Sequence, residues 1–253
     1  MTSLAGRNIL VTGGTSGIGA ATVALLVEQG ARVAVLTDAG QDEIDKAAEK
    51  LGFAFGLQAD ISDRAGVARA ISMILDRVGP LDGLVNNAAI WQPNPVPESP
   101  LALFDRHIDV NLKGSFYVTQ AVLPAMIDKG GGDIVFIGSV SGTAGRAGDS
   151  AYSASKAGVV MLARTLAAEL GPKGIRINCV NPGAVATPLT AELRTPEGEG
   201  AIAALMEGHP SPRRGFFIEP ASIAELVLFL LSPQSSALHG AVIAADEGLT
   251  ATL

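Results

Sequence analysis

The chain has 253 residues, 48% hydrophobic and 17% charged, so it can bury a large core, and this composition excludes a disordered chain. A net charge of -7, 4% aromatic residues and no Lys/Arg cluster longer than Arg213-Arg214 argue against a nucleic-acid partner. The single cysteine, Cys179, excludes an intrachain disulfide and reads as a small buried hydrophobe in a reduced compartment.

The opening MTSLAGRNILVTGG has no basic region followed by a long apolar segment, so no secretory address is expected. Its first apolar run, residues 8–12 (NILVT), reads as a strand and passes directly into Thr12-Gly13-Gly14-Thr15-Ser16-Gly17-Ile18-Gly19. Glycines in such a turn let a pyrophosphate approach the backbone, and the helix that follows at 18–29 offers free N–H groups and partial positive charge. Close strand–helix packing is the other reading of the same glycines.

Strand and helix then alternate. Strands are predicted at 32–37, 53–59, 81–86, 133–138, 175–180 and 241–245, and helices at 42–50, 64–78, 101–129, 152–170 and 222–231. The last helix is expected to open on a Ser222/Glu225 capping box. The alternation predicts βαβ crossovers, an α/β fold with a parallel sheet, and one domain over residues 1–253. Two stretches fall outside it, 91–100 (WQPNPVPESP) and about 188–217. Both follow strands and are expected to border the crevice beyond the C-terminal strand ends, the second as a substrate lid. Apolar runs such as 226–231 are far shorter than the ~20 residues that cross a bilayer, so a cytoplasmic protein without a membrane partner is expected.

Six ordered motifs lie between residues 12 and 187. Besides the glycine turn they are Asn86-Asn87-Ala88-Ala89, Asn111 within a helix, Ser139 after the fifth strand, Tyr152-x-x-x-Lys156, and Asn181-Pro182-Gly183. Together they make the chain resemble a classical short-chain dehydrogenase/reductase. The resemblance implies a Rossmann-type, doubly wound sheet of about seven strands with helices on both faces. It also implies a nicotinamide cofactor, a small-molecule alcohol or ketone substrate, and a homo-oligomer, a tetramer sooner than a dimer.

It further implies cofactor contacts from Gly13, Thr15, Ser16, Gly17, Ile18 and Gly19, and from Asp60 and Ile61 towards the adenine. Asn87, Ala88, Pro182, Gly183, Val185 and Thr187 would line the nicotinamide end. Asp60 reads equally as a helix-capping acid near Ser62, and Pro182-Gly183 as an ordinary turn. Ala89 stands where the family often has glycine, and Asp246-Glu247-Gly248 replaces the family's usual acidic-glycine ending. Cofactor choice falls at Leu36-Thr37-Asp38-Ala39, where Asp38 lies one residue beyond the family's usual acid. A carboxylate there repels a 2'-phosphate, so NAD is expected over NADP.

For the chemistry, a carbinol gives up hydride only as its hydroxyl proton leaves, and a tyrosine can take that proton. A free phenol has a pKa near ~10; a cation one helical turn away favours the phenolate, and Lys156 stands four residues after Tyr152. The resemblance gives Lys156 a second role at the nicotinamide ribose and places Ser139, in preference to Ser141, against the substrate oxygen. Asn111 is a poor helix residue that needs a buried partner. The resemblance has it position Lys156 through water; a satisfied polar residue in a helix interface is the alternative.

Two other readings share the scaffold, an NADPH-dependent reductase of 3-oxoacyl thioesters and a noncatalytic NAD(P)-binding regulator. A Ser-His-acid hydrolase lacks its Gly-x-Ser-x-Gly elbow, and His107, His209 and His239 form no close pair, so no metal site is expected. Trp91, Val140, Thr143, Leu189, Leu193, Leu205 and Met206 are expected to give an apolar substrate wall.

Overall fold

The computed structural model describes residues 4–195 and 217–252. Seven strands form one parallel sheet: β1 (Asn8–Thr12), β2 (Arg32–Thr37), β3 (Phe55–Gln58), β4 (Gly83–Asn86), β5 (Gly132–Ile137), β6 (Ile175–Pro182) and β7 (Val242–Ala245). Their order is β3-β2-β1-β4-β5-β6-β7, so the chain reverses direction across the sheet between β1 and β4. Crevices open beyond the strand ends at such a switch point.

Alternation along the strands divides the core in two. Leu10, Leu84, Ile134, Phe136 and Ile177 face one cluster with α3 (Arg64–Val78), α5 (Ser115–Lys129) and α6 (Ser150–Leu170). Ile9, Val11, Val33, Val35, Val85 and Val135 face the other, with α1 (Gly17–Glu28), α2 (Gln41–Leu51) and α7 (Pro220–Leu230). Helices on both sides explain why the strands read as continuous apolar runs. No helix among the described residues is long and apolar enough to cross a membrane.

Three expectations change. β3 and β4 are shorter than predicted, and β6 runs on to Pro182. The final helix starts at Pro220 behind Glu219, so Ser222 lies inside the first turn and no Ser222/Glu225 box forms. Proline has no N–H to lose at that first position and fixes the helix start two residues earlier. The predicted helix at 101–129 is α4 (Leu101–His107) and α5 joined through a π-helical segment, Ile108–Gly114, that contains Asn111. Where this segment passes into α5, Ser115 Oγ donates to the Asn111 carbonyl at 2.8 Å. Most of the expected lid, 196–216, lies outside the described residues, with Leu205, Met206, His209, Arg213 and Arg214.

At the end of the sheet away from the crevice, Asp133 is held between two arginines, with Arg7 Nη2 and Arg176 Nη2 each 2.7 Å from one carboxylate oxygen. Burial pushes the Asp133 carboxyl up, against the pull of both guanidinium groups. Removing one partner from a buried ion cluster leaves charge uncompensated. Asp133→Ala is therefore expected to lower unfolding free energy by about 3 kcal/mol in urea titration, without changing cofactor affinity.

Candidate active site

A cleft of about 990 Å³ opens along the C-terminal ends of β1, β2, β4, β5 and β6. Gly13, Thr15, Ser16, Gly17, Ile18, Asp38, Asp60, Ile61, Asn87, Ala88, Ser139, Tyr152, Lys156, Pro182, Gly183, Val185 and Thr187 all border it. Gly19 and Asn111 do not; both stand one layer behind.

The glycine turn begins where β1 ends. Gly13 and Gly17 have φ of +63° and +52°, a region that penalises side chains. Gly19 has a different job: a Cβ there would sit 2.1 Å from the Gly13 carbonyl oxygen. Close packing of α1 on the turn, one of the two readings of these glycines, is therefore its role. Asn87 fastens the same turn across the switch point, its Nδ2 donating to the carbonyls of Thr12 at 2.9 Å and Gly13 at 3.1 Å.

At the end of β2, Thr37 is buried and its hydroxyl lies 3.3 Å from that of Thr15, tying strand to turn. The exposed residue bordering the cleft is the next one, Asp38. Asp60 accepts from Ser62 N at 2.8 Å, from Ser62 Oγ at 2.7 Å and from Arg106 at 3.1 Å. Burial opposes its charge, but those hydrogen bonds and the guanidinium hold Asp60 below the usual carboxylate range. The cap of α3 is Asp63, not Asp60.

Tyr152 and Lys156 stand one turn apart on α6, with the ammonium 5.8 Å from the phenol ring centroid. Tyr152 and Ser139 both border the cleft, and the Ser139 side chain favours the ionised phenol. Ser139 is buried at the end of β5 and caps a short 3₁₀ turn, accepting from Ser141 N at 3.1 Å. Lys156 Nζ donates to the Ile137 carbonyl at 2.8 Å. Burial pushes Tyr152 up to about 12 and Lys156 down to about 8. The direction for tyrosine is opposite to that expected from the Tyr–Lys pair alone, because desolvation of the phenolate outweighs what nearby groups return.

Asn111 is fully partnered. Its Oδ1 accepts from Ile90 N at 2.8 Å, and its Nδ2 donates to Ile90 O and Ser155 Oγ, each at 3.0 Å. Ser155 Oγ donates in turn to the Tyr152 carbonyl at 2.7 Å. The side chain thus clamps the segment after β4 to α6. Of the expected apolar wall, Leu189 borders the cleft, while Trp91, Val140, Thr143 and Leu193 lie off its lining.

Sequence reasoning missed Arg106, Lys46 and Lys50, which also border the cleft. Their positions on α4 and α2 carry no local signal; only the packing of those helices brings them to the cleft that Asp38 and Asp60 border. Cys179 is buried, its thiol pushed up to about 11 by desolvation, as a core residue would be. Among the described residues, no three His, Cys, Asp or Glu side chains gather as a metal site.

Residues 7–198, which hold every residue named for the cofactor and the chemistry, match the short chain dehydrogenase family model. The chain belongs to the short-chain dehydrogenase family. It is 38% identical over 250 residues to a 3-oxoacyl-(acyl-carrier-protein) reductase of Thermotoga maritima, covering 97% of this chain and 98% of that one. It is 39% identical over 259 residues to a 2,5-dichloro-2,5-cyclohexadiene-1,4-diol dehydrogenase of Sphingobium indicum, covering 99% and 100%. The crystal structure of levodione reductase superposes with a TM-score of 0.90 at 34% identity, covering 98% of this chain and 99% of that one. As a short-chain dehydrogenase the protein is an NAD(P)-dependent oxidoreductase acting on alcohols or ketones, and the reading as a noncatalytic regulator is set aside.

Proposed function

We propose that this short-chain dehydrogenase interconverts a secondary alcohol and its ketone with NAD as preferred cofactor. In this reading Tyr152 carries the proton and Ser139 orients the reacting oxygen. The observation that carries it is that Ser139, Tyr152 and Lys156 border one cleft, with the Lys156 ammonium 5.8 Å from the phenol ring centroid.

The residues present suit a dinucleotide. No side chain caps α1 at Ser16, which leaves the first-turn N–H groups facing the turn, and a Cβ on Gly13 would meet Ala88 and Asn87 at 3.1 Å. Thr15, Ser16, Gly17 and Ile18 would hold the pyrophosphate, Asp38 the ribose hydroxyls, and Asp60 and Ile61 the adenine. Asn87, Ala88, Lys156, Pro182, Gly183, Val185 and Thr187 would hold the nicotinamide end. When bound, the nicotinamide supplies or accepts the hydride.

The chain does the rest. Ser139 Oγ donates to the substrate oxygen and holds it beside the Tyr152 hydroxyl, which gives a proton during ketone reduction and takes one during alcohol oxidation. Lys156 keeps positive charge near the phenol, so the ionised form is opposed less than burial alone dictates. Asn111 supports both by holding Ile90 and, through Ser155, the first turn of α6.

Asp38 supports NAD, because two like charges about 4 Å apart repel by about 1–4 kcal/mol between bulk water and a protein surface. At least about tenfold higher kcat/KM with NAD+ than with NADP+ is expected on cyclohexanol and related secondary alcohols. A clear preference for NADP+ would overturn that reading. Lys46 and Lys50 at the cleft favour the second reading, an NADPH-dependent reductase of 3-oxoacyl thioesters. Reduction of an acetoacetyl thioester with NADPH, faster than any alcohol oxidation, would establish it. A homo-oligomer, a tetramer sooner than a dimer, is supported by exposed Leu101, Phe104, Phe116 and Met161 on α4, α5 and α6. The chain is expected to work in the cytoplasm.

A further inference from the structure

The segment after β4 is gripped at four successive points. Beyond the Asn111 clamp on Ile90, Trp91 Nε1 donates to Asp149 Oδ1 at 2.9 Å. Gln92 N donates to His107 Nε2 at 3.3 Å, and Asn94 N to the Gly148 carbonyl at 2.8 Å. Ala89 and Ile90, at the root of this segment, border the cleft opposite α6.

Asp149 is the unusual member. It occupies the N-cap position of α6, where an aspartate ordinarily accepts from the helix's own N–H groups, yet its side chain makes no cap bond. The carboxylate is buried and spent elsewhere: on the Trp91 indole, and on Arg146, whose Nε lies 3.9 Å from Oδ2. Arg146 also covers the indole ring at 5.9 Å. Burying a carboxylate is costly unless it is paired and hydrogen-bonded, and Arg146 and Trp91 supply those partners here.

We propose that Asp149 is a positioning residue for the reaction: its buried carboxylate fastens Trp91 and Arg146 to the start of the Tyr152 helix, and its charge biases the phenol's proton. The second half rests on Tyr152 as the proton carrier. The groups facing that phenol are Ser139 from β5, His107 from α4 with its ring edge-on at 6.3 Å, Lys156 from the next turn of α6, and Asp149 itself. Both His107 ring nitrogens are occupied, by Gln92 N and the Leu103 carbonyl, which leaves Asp149 as the buried anion that opposes Lys156. Arg146 offsets part of that charge from the solvent side.

The test uses two variants of the whole protein. Asp149→Asn keeps an acceptor for the indole but removes the charge; Asp149→Ala removes both. Trp91 is the chain's single tryptophan, so acrylamide quenching of intrinsic fluorescence reads the clamp without any substrate. Quenching is expected to about double in Asp149→Ala and stay near wild type in Asp149→Asn, as loss of a buried partner frees the indole. The rising limb of kcat/KM for cyclohexanol oxidation with NAD+, where the phenol ionises, is expected to move at least about half a pH unit lower in Asp149→Asn, since a like charge has been removed. Unchanged quenching in Asp149→Ala overturns the clamp, and an unmoved limb in Asp149→Asn overturns the electrostatic role. Turnover retained by Tyr152→Phe would instead defeat the proton assignment and the pH half with it, while the quenching still decides the clamp.

Discussion

Tyr152→Phe is expected to lower turnover by about 10²–10⁴-fold, the range a positioned proton-transfer group contributes, while cofactor affinity stays nearly unchanged. The phenylalanine ring fills the same place on α6 and loses only the hydroxyl. Lys156 keeps its bond to the Ile137 carbonyl, so the cation remains fixed by β5 and not by the tyrosine. The wild-type pH dependence follows from the two buried groups. Ketone reduction needs the phenol protonated, which holds everywhere below its value of about 12, and the ammonium charged, which holds below about 8. Reduction should therefore weaken as pH rises through about 8. Alcohol oxidation draws on the ionised phenol, whose population grows with pH, so its optimum should lie on the alkaline side of that for reduction. Steady-state rates in both directions across pH check this. Turnover close to wild type in Tyr152→Phe, with the same pH dependence, would remove the tyrosine from the mechanism.

Much of this arrangement was legible because strand ends and turns follow local rules. The sheet could be read from branched runs such as NILVT and DIVFIG, since burial on both faces makes parallel strands apolar throughout. Gly13, Ser139 and Tyr152 could be read because each stands at a strand end or helix start that the topology brings to one crevice. The π segment could not be. Apolar spacing around Asn111 is that of a continuous helix, and the wider turn sits where Gly114 packs against Ile61 and Gly158 of α6 against Leu112, contacts distant in sequence. The reversal of Tyr152's shift had a similar origin: a Tyr–Lys spacing reports charge, while desolvation is a property of the closed cleft. Asp149 lies outside the helix predicted at 152–170, and its attachment to Trp91 joins residues 58 positions apart.

Gly19→Ala should be damaging although it adds a single carbon. On helix propensity alone the substitution would stabilise α1 by up to about 1 kcal/mol. Sterics decide otherwise. The new Cβ would lie 2.1 Å from the Gly13 carbonyl oxygen and 2.6 Å from Asn87 Nδ2, and neither can retreat freely. The carbonyl belongs to the turn, whose Gly13 N donates to the Leu36 carbonyl at 2.7 Å. Asn87 holds β1 to the segment after β4 through its two bonds to Thr12 and Gly13. To make room, α1 must lift from the turn or Asn87 must release it, and either movement opens the dinucleotide cradle. Overpacking of this kind costs about 1–3 kcal/mol, so a net loss of stability is expected in thermal unfolding, with at least about tenfold weaker NAD+ binding by calorimetry. Gly145→Ala serves as the comparison, since a Cβ there meets nothing within 4 Å, and it should leave both readings unchanged. Wild-type stability and NAD+ affinity in Gly19→Ala would mean that the turn yields without cost and that its close packing is not what shapes the site.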